Sequence, residues 1–78
     1  MKGRVKMVEL NVLAILEERG KSIYWLHRQV GIYKQKGMGY QNFRNMISNQ
    51  TKSIRLENID ALCQILECTP NELFRFTE

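Results

Sequence analysis

The chain has 78 residues, 44% apolar and 26% charged, with a formal charge of +4. That is apolar surface for one core and too much for a disordered chain, so a single domain over residues 1–78 is expected. No apolar run approaches the roughly 20 residues of a membrane-spanning helix, and Met1 to Lys6 leads into a segment with Glu9, Glu17 and Glu18, unlike a secretory leader, so a cytoplasmic location without membrane association is expected.

Residues 1–7 read as a basic N-terminal segment carrying Lys2, Arg4 and Lys6. Strand-like alternation is weak throughout, with a trace only at Val5 to Met7, and the fold class predicted is all-α, a compact five-helix domain. The first helix is predicted from Val8 to Arg19, stopping at Gly20, with Val8, Val12, Leu13, Ile15 and Leu16 facing the core. Met7, Leu10 and Ala14 fall on its other side. They are the candidate patch for a homodimer, unless the N-terminal segment folds over them.

The second helix is predicted to follow the capping residue Ser22 and to run from Ile23 to Gly31, burying Ile23, Leu26 and Val30. Tyr33 to Gly39, with Gly37 and Gly39, reads as a long turn. The third helix, about Tyr40 to Ser48, places Phe43, Met46 and Ile47 on one face with Tyr40 beside them. Its opposite face carries Gln41, Arg44, Asn45 and Ser48, all polar and none acidic.

The fourth helix, about Arg55 to Leu66, is predicted to bury Leu56, Ile59, Leu62 or Cys63, and Leu66 at spacings of three and four. Cys63 and Cys68 are five residues apart. That fits neither a Cys-x-x-Cys redox pair nor a zinc pair, so no metal is expected and Cys63 reads as a small core residue. Thr69-Pro70-Asn71-Glu72 announces the fifth helix, with a capping hydroxyl, Pro at the first position and Glu three after the cap. Leu73, Phe74 and Phe76 are predicted to supply its apolar contacts.

The charge is segregated along the chain. No acid lies between Glu18 and Glu57, whereas Arg19, Lys21, Arg28, Lys34, Lys36, Arg44, Lys52 and Arg55 are all basic. Such a block attracts a polyanion. The third helix sits inside it and has the division that reading a DNA groove requires, one apolar stripe for anchoring and one stripe of donors and acceptors. Arg chelates guanine, and Asn or Gln chelates adenine, so Gln41, Arg44 and Asn45 are the candidate base readers, with Tyr40 and Asn42 at the rim. Ser22, Arg28, Lys34, Lys36 and Lys52 are the candidate phosphate ligands, and Lys2, Arg4 and Lys6 are placed to follow the backbone or a minor groove. His27, beside Leu26, reads as a packing or surface residue; aromatic residues at helical spacing such as Trp25, Tyr24 and Tyr33 are more often core than base-stacking, and Trp25 reads as packing or phosphate-side.

Helices two and three with their joint resemble the helix-turn-helix of Cro- and phage-repressor-like regulators, the XRE-like family. The residues that carry the likeness are Glu18-Arg19-Gly20-Lys21-Ser22, then Leu26, Val30, Gly31 and Ile32, then Phe43 and Met46, and finally Ile54 to Ile59 and Leu62 to Phe74. The resemblance implies a lambda-repressor-like five-helix domain that binds double-stranded DNA as a homodimer and regulates transcription, in most cases as a repressor. The sequence departs from the family pattern at three points: a six-residue insertion, Tyr33 to Met38, lengthens the turn; His27 stands where a small Ala is usual; Ile23 stands where a phosphate-binding Gln is usual. The alternative reading is an antitoxin-like or adaptor module that binds another protein, with DNA contact secondary. No nucleophile, paired carboxylates or phosphate-cradling glycine loop stands out, so no catalytic residue, cofactor or small-molecule ligand is expected.

Overall fold

Gly20 and Ser22 set the first turn of the fold. Helix α1, Val12–Arg19, ends at Gly20, whose φ of 66° is left-handed, as a glycine after a helix allows. Helix α2, Ile23–Lys34, begins where the Ser22 hydroxyl oxygen accepts the Trp25 N–H at 3.0 Å. The structure, a computed structural model, describes residues 7–77. Lys2, Arg4 and Lys6 lie outside the described residues.

Helix α2 passes through Gly31, its expected end, and runs three residues further. Gln35 closes it at a φ of 56°, and the Gln35 and Lys36 N–H groups donate to the Ile32 and Gly31 carbonyls, each at 3.2 Å. A helical Gly costs about 1 kcal/mol relative to Ala, but tertiary contacts hold the added turn: the Tyr33 hydroxyl donates to Asp60 at 2.9 Å and the Lys34 ammonium to Asn58. Tyr33 and Lys34, expected in the turn, are therefore the end of α2. The connection to the next helix is Gln35 to Gly39.

Helix α3 spans Tyr40–Ile47, α4 spans Leu56–Leu66, and α5 is the short turn Pro70–Leu73. The capping box at α5 forms as its residues predict: the Thr69 hydroxyl oxygen accepts the Glu72 N–H at 3.3 Å, and the Glu72 carboxylate accepts the Thr69 N–H at 2.8 Å. No described helix is long and apolar enough to cross a membrane.

The fold is not all-α. Strand β1, Met7–Leu10, pairs antiparallel with strand β2, Phe74–Thr77, in the register Met7 to Thr77, Val8 to Phe76, Glu9 to Arg75 and Leu10 to Phe74. Helix α1 accordingly starts at Val12 rather than Val8. A four-residue strand is too short to display a period of two, and its pairing partner is far away in sequence. The Glu9 carboxylate and the Arg75 guanidinium meet across the strands at 2.6 Å.

The core gathers Phe43, Leu26, Ile47, Leu62, Leu66, Leu73 and Val12, each essentially without exposure. Several expectations are corrected here. Leu10 leaves the candidate dimer patch for the core, while Met7 is exposed on the sheet and Ala14 on α1, so the three do not form one face. Leu56 is 81% exposed because α4 turns Asn58, Ala61, Leu62 and Leu66 inward, leaving its first residue outside that stripe. Phe76 is exposed, since of β2 it is Phe74 that packs against the core. Val8 and Leu13 are likewise exposed rather than buried.

Asn49 joins the sheet to the helices. It follows α3 at a φ of 66°, a left-handed conformation that Asn tolerates. Its side-chain oxygen accepts the Leu10 N–H at 2.7 Å and its amide donates to the Leu10 carbonyl at 3.0 Å. One side chain thus completes both backbone groups of a buried strand residue. Replacing Asn49 by Gly keeps the backbone conformation and removes both bonds. Because partly buried peptide groups are left unsatisfied, we expect a loss of about 2 kcal/mol, read in urea as a lower midpoint at unchanged m-value.

Candidate nucleic-acid interface

An eight-residue helix cannot stand alone in water, so α3 takes its orientation from packing. Phe43, Met46 and Ile47 are buried, with Phe43 and Ile47 fully so. His27 on α2 completes the seat. Its ring meets Phe43 and Tyr40 edge-on, each with centroids 5.3 Å apart, and its Nε2–H donates to the Met38 carbonyl at 2.6 Å. The histidine therefore packs against α3 and pins the connection that leads into it.

With that stripe inward, Gln41, Asn42 and Arg44 are exposed, Tyr40 is 39% exposed, and Asn45 is half-buried. The Gln41 amide donates to the Asn45 side-chain oxygen at 3.0 Å, which aligns the two along the helix, and the Ser48 hydroxyl turns back to donate to the Arg44 carbonyl at 2.6 Å. Gly39 caps α3 without a side-chain hydrogen bond, so the first N–H groups of α3 have no intrahelical acceptor. Tyr40 connects this end to α2: its ring is 6.3 Å from Tyr24, and the Arg28 guanidinium lies 6.0 Å from the Tyr24 ring.

Around α3 the basic residues divide into two groups. Arg28, Lys36 and Lys52 are exposed, as is Ser22 at the start of α2. Lys34 is not available. Its side chain is only 11% exposed, its ammonium donates to Asn58 and lies 3.8 Å from the Glu57 carboxylate, and it fastens α2 to α4 instead of meeting solvent. Two carboxylates of α4 are occupied in the same way, Glu57 by Lys34 and Asp60 by the Tyr33 hydroxyl. The bond to Asp60, then partial burial and the carboxylate charge, raise the Tyr33 phenol above its ordinary pKa.

The family profile of the Cro/C1-type HTH DNA-binding domain matches residues 11–78. The chain belongs to this family. It is a Cro/C1-type HTH DNA-binding domain. No curated protein and no solved structure matches the chain.

Within the Cro/C1-type domain, a second run of polar residues escaped the sequence reading. Thr51, Ser53 and Arg55 are exposed on the connection from α3 to α4, and with Asn42 they line a groove of about 350 Å³ beside α3. The Thr51 hydroxyl donates to the Ser53 carbonyl at 3.3 Å. The signal is present in the sequence as Thr-Lys-Ser-Ile-Arg, four donors in five residues.

The cysteines occupy a helix end. Glu67 closes α4 at a φ of 52° and the Cys68 N–H donates to the Cys63 carbonyl at 3.1 Å, the bond from the residue after the left-handed position back into the last turn of the helix. Both thiols are free and half-buried, and the described residues hold no cluster of three metal-ligating side chains. Burial first, then the neighbouring Cys63 and Glu72, pushes the Cys68 thiol up to about 11. The thiol form is favoured in the fold, so its contribution to stability is complete below the unfolded value of 9.0 and is lost as pH rises toward 11. At pH 8, alkylation of Cys68 followed by peptide mass spectrometry is expected to run about a hundredfold slower in the folded chain than in urea, because the thiolate is that much scarcer.

Proposed function

We propose that α3 enters the major groove of duplex DNA and that the protein is a sequence-specific transcriptional repressor acting as a homodimer. The observation that carries the reading is the division of α3: Phe43, Met46 and Ile47 are buried, while Gln41, Arg44 and Asn45 form the opposite face in a stretch without acids from Arg19 to Leu56. Arg44 supplies a guanidinium fork for guanine, and the Gln41–Asn45 amide pair offers donor and acceptor to adenine. Tyr40 and Asn42 stand at the rim, where α3 meets the groove wall.

Phosphates are held on either side. Ser22 and the first N–H groups of α2 make an anion site at a helix N-terminus, and Arg28, over the Tyr24 ring further along α2, adds a charge. Lys36 serves from the α2–α3 connection, and Lys52 with Thr51, Ser53 and Arg55 from the α3–α4 connection. Lys34 is excluded by its bond to Asn58. A single α3 reads only a few base pairs, so two copies on half-sites about 34 Å apart supply the specificity. Occupancy of such a site blocks access to the promoter that contains it.

Two measurements test this. For one copy, the four cationic phosphate contacts Arg28, Lys36, Lys52 and Arg55 predict about a hundredfold loss of affinity for duplex DNA between 50 and 200 mM salt; a flat response overturns the reading. On a duplex selected from a random pool, Arg44→Ala with Asn45→Ala is expected to weaken binding by about a hundredfold or more, as loss of base contacts worth about 1–3 kcal/mol each implies. Binding to unrelated duplex should change far less.

A further inference from the structure

The end of α4 brings together two reactive groups that the polar face of α3 does not use. Cys63 is in the last turn of α4, and Cys68 follows Glu67, the left-handed residue that closes the helix. Reversal of the chain at Glu67 lets the Cys68 N–H donate to the Cys63 carbonyl at 3.1 Å. A backbone bond of this kind sets the two side chains against each other. It also holds their Cα atoms within the roughly 4.4–6.8 Å that a disulfide spans. The two thiols are within hydrogen-bonding reach of each other, both are free, and both are half-buried against the core. Their spacing in sequence excludes a Cys-x-x-Cys turn, but not a pair that a helix end folds together.

The corner between α4 and α5 also holds both ends of α1. At one end the Arg19 guanidinium donates to the Leu66 carbonyl, and at the other the Asn11 N–H donates to the Leu73 carbonyl at 2.7 Å. Between these two anchors stand Cys68 and the capping box that Thr69 opens. A covalent link at this place restrains a junction on which α1, α4, α5 and β2 converge.

We propose that Cys63 and Cys68 are a redox modification site, which a low-molecular-weight disulfide converts into an intrachain bridge locking the end of α4 to the start of α5. The Cys63 thiolate attacks one sulfur of the small disulfide, forming a mixed disulfide at Cys63 and expelling one small thiolate. The Cys68 thiolate then attacks the Cys63 sulfur, forms the bridge and expels the second. The protein loses two S–H bonds and gains one S–S bond; the small disulfide is reduced to two thiols, which take up the two protons.

The order of attack follows from the surroundings of the two sulfurs. Burial first, then the charge and hydrogen bond of Cys63, pushes the Cys68 thiol up to about 11, so Cys68 is a poor first nucleophile. Once Cys63 is in the mixed disulfide, both contributions of Cys63 end. Cys68 then has its target beside it and serves as the resolving thiol.

Equilibration of the full chain with reduced and oxidised glutathione tests the site, followed by intact mass and by peptide mapping without reductant. In the native chain the expected product is one species lighter than the parent by two hydrogens, with residues 63 and 68 in a single bridged peptide. Because the fold already holds the sulfurs together, oxidation is expected to be about tenfold more favoured in the native chain than in urea, equal to about 1.4 kcal/mol. By linkage the folding constant of the oxidised chain is then about tenfold above that of the reduced chain, read as a higher urea midpoint. Cys63→Ser and Cys68→Ser are each expected to take up at most one glutathione, to form no bridge and to show no such rise. The comparison of oxidised and reduced parent needs no variant, so a variant that folds poorly leaves the test intact. Two glutathione adducts in place of a bridge, a bridge between two chains, or oxidation no more favoured in the native chain than in urea overturns the proposal. None of these readouts involves DNA, so they are independent of the role proposed for α3.

Discussion

The insertion of Phe43 between α2 and the rest of the core is the contact on which the interface depends. Helix α3 has eight residues, less than the length at which a peptide helix holds itself together in water. Its formation and its direction are both consequences of burying Phe43 with Ile47 and Met46. Once those side chains are inside, the 3.6-residue period leaves Gln41, Arg44 and Asn45 no other place than the outer face. The polar face is thus as well defined as the apolar one, although it makes few contacts of its own. His27 adds a constraint that a small residue would not supply: by holding both the Phe43 ring and the Met38 carbonyl, it ties the helix and its approach to one point on α2.

Electrostatics follows from the same packing. The cationic block contains charges with two different tasks, and burial separates them. Lys34 lies at the end of α2, where α4 closes on it, and its charge is spent against Asn58 and Glu57. Lys36, two residues further along the connection, is exposed. The field outside α3 therefore comes from fewer cations than the sequence suggests, but the carboxylates Glu57 and Asp60 are also engaged by α2 and do less to weaken it. In a helix-turn-helix domain this leaves the outer face to Arg28, Lys36, Arg44, Lys52 and Arg55.

Features encoded over a few residues were legible in the sequence, and those that depend on distant partners were not. The Gly20 cap, the Ser22 cap and the Thr69–Glu72 box each need only neighbours within one turn, and all three stand where the sequence placed them. The buried stripe of α3 was legible for the same reason. The strands were not, because Val8 sits four residues before Val12 and so imitates a helical face, while the segment that pairs with it lies at the other end of the chain. The end of α2 was misplaced because Gly31 is a common stop, and only the bonds of Tyr33 and Lys34 to α4 carry the helix past it. For α4, spacing admitted two neighbouring stripes; Asn58, polar yet buried through its bond to Lys34, decides between them and leaves Leu56 outside. Of the site, the family and the outward face of α3 were legible, whereas the removal of Lys34 and the addition of Thr51, Ser53 and Arg55 required coordinates.

The sheet and the helix-turn-helix are mechanically one object, and Asn49 is the reason. It stands two residues beyond the end of α3 and holds Leu10 of β1 by both backbone groups, while Leu10 stands opposite Phe74 of β2. A load applied to β2 therefore reaches α3 through short hydrogen bonds rather than through a flexible linker.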